Sequence, residues 1–560
     1  MHKLYGLISL LALVFCPLTY AEFGASLVLI NGKIYTVDEY RPIVQAVYIK
    51  KGRIAALGRT EEILRKIAPG TQVVELKGRA VVPGFIDSHG HMLSLGISMV
   101  NLDFTGTESY SEVTARVAEA VKNKKSGEWI IGRGWDQNDW EDDTIPHHSR
   151  LSAMSAANPV MLTRIDGHAC LVNEAALELA GITGETVDPP GGRIVRDESG
   201  SPTGLLIDRA MGLVSSVIPE LDRATKLLAL REAVNHCVSV GLTTVHDAGV
   251  GADVIELYKE LIDKDRFNFR VYAMLSAGRF AASRDASDFL KEKPLIGYGQ
   301  DQLTVRSVKV VSDGALGSRG AALSKPYSDD PENAGLQITD LATMMMIANR
   351  ALEQGYQVST HAIGDLANNT VLIAYSSAFE RSRNRDPRFR IEHAQVMRQS
   401  DIEWMGKLNV IASIQATHAT SDMYWAEDRL GEDRLKGAYA WRTMIEEKVR
   451  IANGSDFPVE NANPLWGFYA AITRQDHKGW PDGGWYKDQK LTREEALKSF
   501  TLDGAYAGFE EDIKGSIEVG KWADLVILSK DIMTVPAKEI LNTKVLMTFV
   551  GGTPVYRAGR

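Results

Sequence analysis

The stretch VVPGFIDSHGHM (81–92) joins a β-branched apolar run to two histidines one residue apart. Alternate residues of a strand share a face, so the imidazoles of His89 and His91 point the same way at a strand end. Two neutral imidazoles at this spacing suit a divalent metal such as zinc. The pair alone does not decide, because two hydrogen-bonded histidines with no metal role give the same pattern. What decides is the series of similar runs along the rest of the chain.

GFIDSH (84–89) is the first of eight short apolar runs that end in polar residues. The others are GLTTVHDAG (241–249), RVYAMLS (270–276), SVKVVSDG (307–314), YQVSTHAIGD (356–365), RIEHAQ (390–395), VIASIQATH (410–418) and RIANGSD (450–456). Helical stretches such as LLALREAVNHCVSVG (227–241) and LATMMMIANRALEQG (341–355) lie between them. Eight strands alternating with helices predict an α/β fold, a (β/α)8 TIM-type barrel. The interval from about 92 to 240 is far too long for one βα connection. It predicts an inserted subdomain after strand one, at about 100–235, rich in Trp, Asp and Gly.

Outward from the barrel, both chain ends are strand-rich. SLVLINGKIYT (26–36), AVYIKKGRIAALG (46–58) and TQVVELKGRAVVPG (71–84) are β-branched runs broken by Gly-containing turns, which predict antiparallel strands. The pattern returns in ADLVILSKD (523–531) and KVLMTFVGGTPVYRAG (544–559). The economical organisation is one small β-sandwich built from both ends, 22–83 and 511–560, flanking a barrel at 84–510.

The chain has 560 residues, 44% hydrophobic and 24% charged, enough to bury a sizeable core. A net charge of −9 argues against nucleic acid as a partner, which calls for a basic surface. The first 21 residues read as a secretory signal: Lys3 leads, Leu7 to Pro17 is apolar, and Thr19-Tyr20-Ala21 precedes the cut. The expectation is an exported, periplasmic protein without stable membrane insertion after cleavage; a lipoprotein at Cys16 and an uncleaved anchor are the alternatives. Beyond the signal only Cys170 and Cys237 remain, expected as two buried thiols rather than a bridge.

The barrel reading places further ligand-type side chains where such folds do their chemistry, at the C-terminal ends of strands. Lys309 lies in strand four, His361 ends strand five, His393 ends strand six and Asp456 ends strand eight. Each has a plain structural reading by itself: a helix cap, a core histidine, a turn aspartate, an ion-paired lysine. Their joint position favours one shared site.

These segments, with GRGWDQNDW (132–140), RIDGHACLVNEAAL (164–177), VKVVSDGALGSRGAAL (308–323), THAIGDLA (360–367), ANGSDFPVENANP (452–464) and GSIEVGKWADLVIL (515–528), resemble the amidohydrolase superfamily in its family 3 branch, which includes N-substituted formamide deformylase-like proteins. The resemblance covers nearly all of the chain beyond the signal. It implies two divalent ions, usually zinc: one held by His89, His91 and Asp456, the other by His361 and His393, with Lys309 N-carboxylated as a bridging ligand. A carbamate replaces an ammonium that two cations would repel. It also implies hydrolysis of an amide-like C–N bond in a small molecule by a metal-activated hydroxide, with Asp456 as general acid/base, and a homodimer as a candidate assembly. A one-metal heterocycle deaminase and a silent exported binding protein are the alternatives.

Further candidates surround this set. Trp135, Asp136, Gln137 and Trp140 offer either an aromatic lid or a small core for the insertion. Arg164, Asp166 and His168 match an RxDGH segment, with His168 a candidate donor to the substrate carbonyl. Arg319 is expected either to bind a carboxylate or to close its own loop. Gln415, His418 and Arg474 are candidate substrate contacts. Glu392 is expected to point away from His393, and His246 to stand behind the ligands.

Overall fold

The computed structural model describes residues 26–137, 140, 146–165, 167, 169–189, 191–277 and 293–559. The expected signal, Asp166 and His168 lie outside them.

Among the described residues, eight parallel strands form one sheet in chain order: β1 (Phe85–Gly90), β2 (Leu242–Val250), β3 (Arg270–Ser276), β4 (Leu303–Val311), β5 (Gln357–Ala362), β6 (Arg390–His393), β7 (Ile411–Gln415) and β8 (Ile451–Gly454). The sheet curls until its ends meet. His91 donates its backbone N–H to Phe457 O at 2.9 Å, and Asp456 donates to His89 O at 2.7 Å. The close approach needs Gly454, where a Cβ would lie 2.6 Å from both His89 N and Asp87 Oδ1. Helices cover the outside. Leu341–Gln354 is capped by Asp340, whose side chain accepts from Thr343 N, and ends at Gly355 with φ 88°. β4 begins upstream of the expected run, with a register shift in its pairing to β3.

Two sheets near the chain termini enclose a second core that includes Leu29, Val47, Ile49, Val81, Leu525, Ile527 and Phe549. One six-stranded sheet joins the two ends directly, with Ala80–Pro83 antiparallel to Leu525–Leu528. The all-antiparallel expectation needs correction. Leu27–Ile30 runs parallel to Gln72–Glu75, and Lys33–Tyr35 parallel to Ala80–Pro83. The 46–58 run does form a hairpin, turning at Lys51-Gly52 with φ 53° and 76°. After β1, a six-stranded mixed sheet from Leu102–Asp103 to Pro202–Asp208 forms the inserted unit. Cys170 and Cys237 are buried, free and in different cores.

Candidate metal centre

Strand ends β1, β4, β5, β6 and β8 bring the predicted ligands together. The imidazoles of His89 and His91 lie 5.5 Å apart by centroid, His89 and His393 4.9 Å, and His361 and His393 4.5 Å. Lys309 Nζ is 3.3 Å from His89 Nε2. Asp456 Oδ1 is 3.6 Å from His89 Nε2 and 3.0 Å from His91 Nε2. His418 joins the group, 6.0 Å from His393 in a stacked pair. Ligand atoms of His89, His91 and Asp456 lie within 4.8 Å of one another, as do those of His393, His418 and Asp456. The second group thus includes His418, named in the sequence only as a substrate contact.

The tautomers are set from behind. His89 Nδ1 meets Glu392 Oε2 at 2.5 Å, His91 Nδ1 meets Ala248 O at 2.9 Å and His393 Nδ1 meets Gln415 Oε1 at 2.6 Å. Each acceptor takes an Nδ1–H and leaves the Nε2 lone pair for the centre. Burial, reinforced by the Lys309 ammonium, pushes His89 down to about 4 and His361 down to about 3. Burial and then His361 depress His393 still more clearly. Neutral imidazoles are the form that binds metal. Although burial opposes it, His91 and the neighbouring imidazoles hold the Asp456 carboxyl well below the usual range. Burial pulls Lys309 below its ordinary value, against the attraction of Glu392 and Asp456.

The donor set fits divalent cations on a further observation. Among the described residues, His361 Nε2, His418 Nε2 and Asp456 Oδ1 are buried with no hydrogen-bond partner. Buried polar atoms are ordinarily paired, and two imidazole nitrogens and a carboxylate oxygen left unpaired at one mouth are a pattern a cation can satisfy. His418 does so once its proton, which Gln395 Nε2 facing Nδ1 at 3.3 Å places on Nε2, is released.

The frame of the site includes residues that sequence reasoning missed. Asp87 accepts from His89 N at 3.0 Å and Ser455 Oγ at 2.6 Å, tying β1 to the segment after β8. Asp313 accepts from Ala322, Ile363 and Gly364 N–H groups at 2.8–3.0 Å, fixing the turn after His361. Its position in VSDGA, just past a strand end, was the available signal. Glu392 corrects an expectation. It faces into the barrel on His89, because β6 stops after four residues and His393 takes φ 77°, which breaks the alternation.

Other candidates lie elsewhere or act differently. Trp135 is no lid: it is 1% exposed in the core of the inserted unit, donating Nε1 to Leu162 O at 2.8 Å and tilted against Trp140. Asp136 follows the same strand, half-buried. Arg319 closes its own loop through Asp329 at 2.9 and 3.1 Å, rather than waiting for a ligand carboxylate. Gln415 is committed to His393 instead of substrate. Arg474 is buried, donating to Trp485 O and Tyr439 O, so it holds loops together. His246 stands behind the ligands, against Arg390.

The amidohydrolase family matches residues 72–556. Protein LONG AFTER FAR-RED 3 of Arabidopsis thaliana is 36% identical over 96% of this chain and 92% of its own length. N-substituted formamide deformylase of Arthrobacter pascens is 28% identical over 95% of this chain and 98% of its own. The crystal structure of an uncharacterised metal-dependent hydrolase from Pyrococcus furiosus superposes with a TM-score of 0.75 at 30% identity, over 91% of this chain and all of that one. A closed barrel whose mouth gathers imidazoles, a lysine and an aspartate agrees with these likenesses over nearly its whole length, and the chain belongs to the amidohydrolase family.

Proposed function

We propose that this hydrolase cleaves an amide-like, non-peptide C–N bond of a small molecule with two divalent ions, zinc being the natural choice for these ligands. The observation that carries the reading is the convergence of His89, His91 and Asp456 with Lys309, His361 and His393 at one barrel mouth. The likeness to a deformylase of N-substituted formamides supports the bond type.

His89, His91 and Asp456 would hold one ion. His361 and His393 would hold the other, with His418 beside them. When bound, the ions lower the pKa of a water and polarise the substrate carbonyl. The protein's own groups do the rest. Lys309, as a carbamate, would supply negative charge between two cations where an ammonium would be repelled. Asp456 takes a proton from the attacking water and delivers it to the leaving nitrogen, since an amine leaves poorly unless protonated. The contacts behind His89, His91 and His393 keep those rings from turning. The same proposal includes export directed by residues 1–21.

The test is metal content per chain together with hydrolysis of a panel of N-formyl and N-acyl amines. Two ions and chelator-sensitive release of amine support the reading. One ion with release of ammonia from a heterocycle assigns a deaminase instead. Bound metal with no turnover of any C–N substrate assigns a silent binding protein.

A further inference from the structure

Behind His89 runs an unbroken chain of buried side chains. Glu392 Oε2 meets His89 Nδ1 at 2.5 Å. Arg390 donates Nη2 to Oε2 at 3.0 Å and sets Nε 2.8 Å from Oε1 as an ion pair without hydrogen-bond geometry. Arg390 Nη1 in turn donates to His246 Nδ1 at 2.7 Å. Ser88 O at 2.5 Å and Ser413 Oγ at 2.8 Å face the same Nη2, so three acceptors share its two N–H groups. All four members of the chain are at most 1% exposed.

The three imidazoles held from behind are therefore not equivalent. His91 leans on a neutral backbone carbonyl and His393 on the neutral amide oxygen of Gln415. His89 leans on a carboxylate. The Arg390 guanidinium, ion-paired with Glu392 in the barrel interior, keeps it a carboxylate. A ring whose Nδ1–H points at a fixed anion is a more basic Nε2 donor than one backed by a neutral oxygen. Arg390 is a permanent cation and balances the charge so that Glu392 can stay in the barrel interior. His246, accepting through Nδ1, fixes the far side of the guanidinium.

We infer that Glu392, clamped by Arg390 and His246, is a positioning residue that makes His89 the strongest of the three backed imidazole ligands, so that the ion at His89, His91 and Asp456 is the tighter of the two and fills first. The inference rests on the two-ion reading above.

The test uses the full chain stripped with a chelator, then titrated with Zn2+ against a chromophoric chelator, with Co2+ absorption as a second readout. The parent is expected to fill in two steps. Glu392→Gln should weaken the tighter step by about 10–100-fold, leave the weaker step within about 3-fold and change the Co2+ spectrum. His246→Asn, which sets an amide oxygen where Nδ1 accepts, should keep the tighter step within about 3-fold, while His246→Leu weakens it. An unchanged tight step in Glu392→Gln, or an equal fall in both steps, overturns the inference. Should Glu392→Gln fail to fold, His246→Leu decides: an unchanged tight step there overturns it. A parent protein that takes up no metal overturns the proposed function instead, which the first titration reveals.

Discussion

Nε2 of His91 lies 3.0 Å from Oδ1 of Asp456, and that carboxylate oxygen is buried without a hydrogen-bond partner. Nδ1 of His91 is engaged with Ala248 O. With its proton there, the ring turns a lone pair toward an anion, an arrangement relieved by a cation between them or by a second proton on Nε2, which, against the cost of burial, the Asp456 carboxylate favours by raising His91. The relationship therefore says more about the centre than the mere presence of two ligand types.

Asp456→Asn tests the acid/base assignment. The amide keeps the size of the side chain, and Asp456 N still donates to His89 O. Turnover should fall by about 10²–10⁴, the range for a lost general acid/base group. The melting curve of the chelated protein should stay close to that of the parent. Parent-like kcat in this variant removes Asp456 from the role.

Lys309 offers a direct chemical readout. Its Nζ sits 3.3 Å from His89 Nε2 and is almost wholly buried. If the amine carries a carbamate when metal is bound, gentle mass spectrometry of the loaded protein should show the added mass of one carbon dioxide, lost on acidification. Lys309→Ala should hold fewer ions per chain and lose turnover. Two tightly held ions in that variant would show that no bridge is needed.

The barrel was legible because eight apolar runs alternate with helical stretches, and four of them lead into ligand-type residues, His89, His361, His393 and Asp456, that the structure places at or just past strand ends. Where the sequence left a ligand role open, a partner elsewhere in the chain decides. Arg319 finds Asp329 and Arg429 shares that carboxylate; Arg474 finds Trp485; Trp135 finds Leu162. The sequence offers Arg319 and Trp135 both a ligand role and a structural one, and folding takes the structural one; Arg474, read only as a substrate contact, is taken up by its own loop. Glu392 was misread for a different reason. Strand alternation was extended through His393, where φ is 77° and the alternation ends. Strand direction in the terminal sheets was equally hidden. Gly-containing turns mark chain reversals, but sequence does not say that Gln72–Glu75 returns beside Leu27–Ile30 in parallel.

Asp422 ends the helix that carries His418, accepting from Tyr439 Oη at 2.6 Å. Burial pushes its carboxyl up to about 6 from 3.8. A folded-state pKa above the unfolded one contributes stability below pH 3.8, lost as pH rises through about 6. Asn cannot ionise and still accepts from Tyr439. Asp422→Asn should therefore gain on the parent between pH 4 and 6 and hold the gain above it. The side chain is only partly buried, so solvent screening limits that gain to about 1–2 kcal/mol. Urea melts at pH 4.5 and pH 8 check this; a gain that shrinks as pH rises would reverse the assignment.

Asp313 is the sharpest probe of how the second half of the centre is held. Oδ2 accepts from Ala322 N at 2.9 Å and Gly364 N at 2.8 Å, while Oδ1 accepts from Ile363 N at 3.0 Å and faces His361 Nε2 at 3.6 Å. Three backbone donors converge on one buried carboxylate, and only an acceptor at both oxygens satisfies them. In Asp313→Asn one oxygen becomes an NH2, which opposes an N–H whichever way the amide turns. At least one buried donor is left unmade, a loss of about 1–3 kcal/mol. The strain falls on the turn that fixes His361, not on the β1–β8 seam, which Asp87 holds separately. The expected outcome is a lower melting temperature and selective loss of the ion at His361 and His393, with the ion at His89, His91 and Asp456 retained. Metal counts and melting curves on the same preparation separate the possibilities. Two retained ions at parent stability would mean that Asp313 does not set His361, and equal loss of both would mean that the two halves of the centre are not held independently.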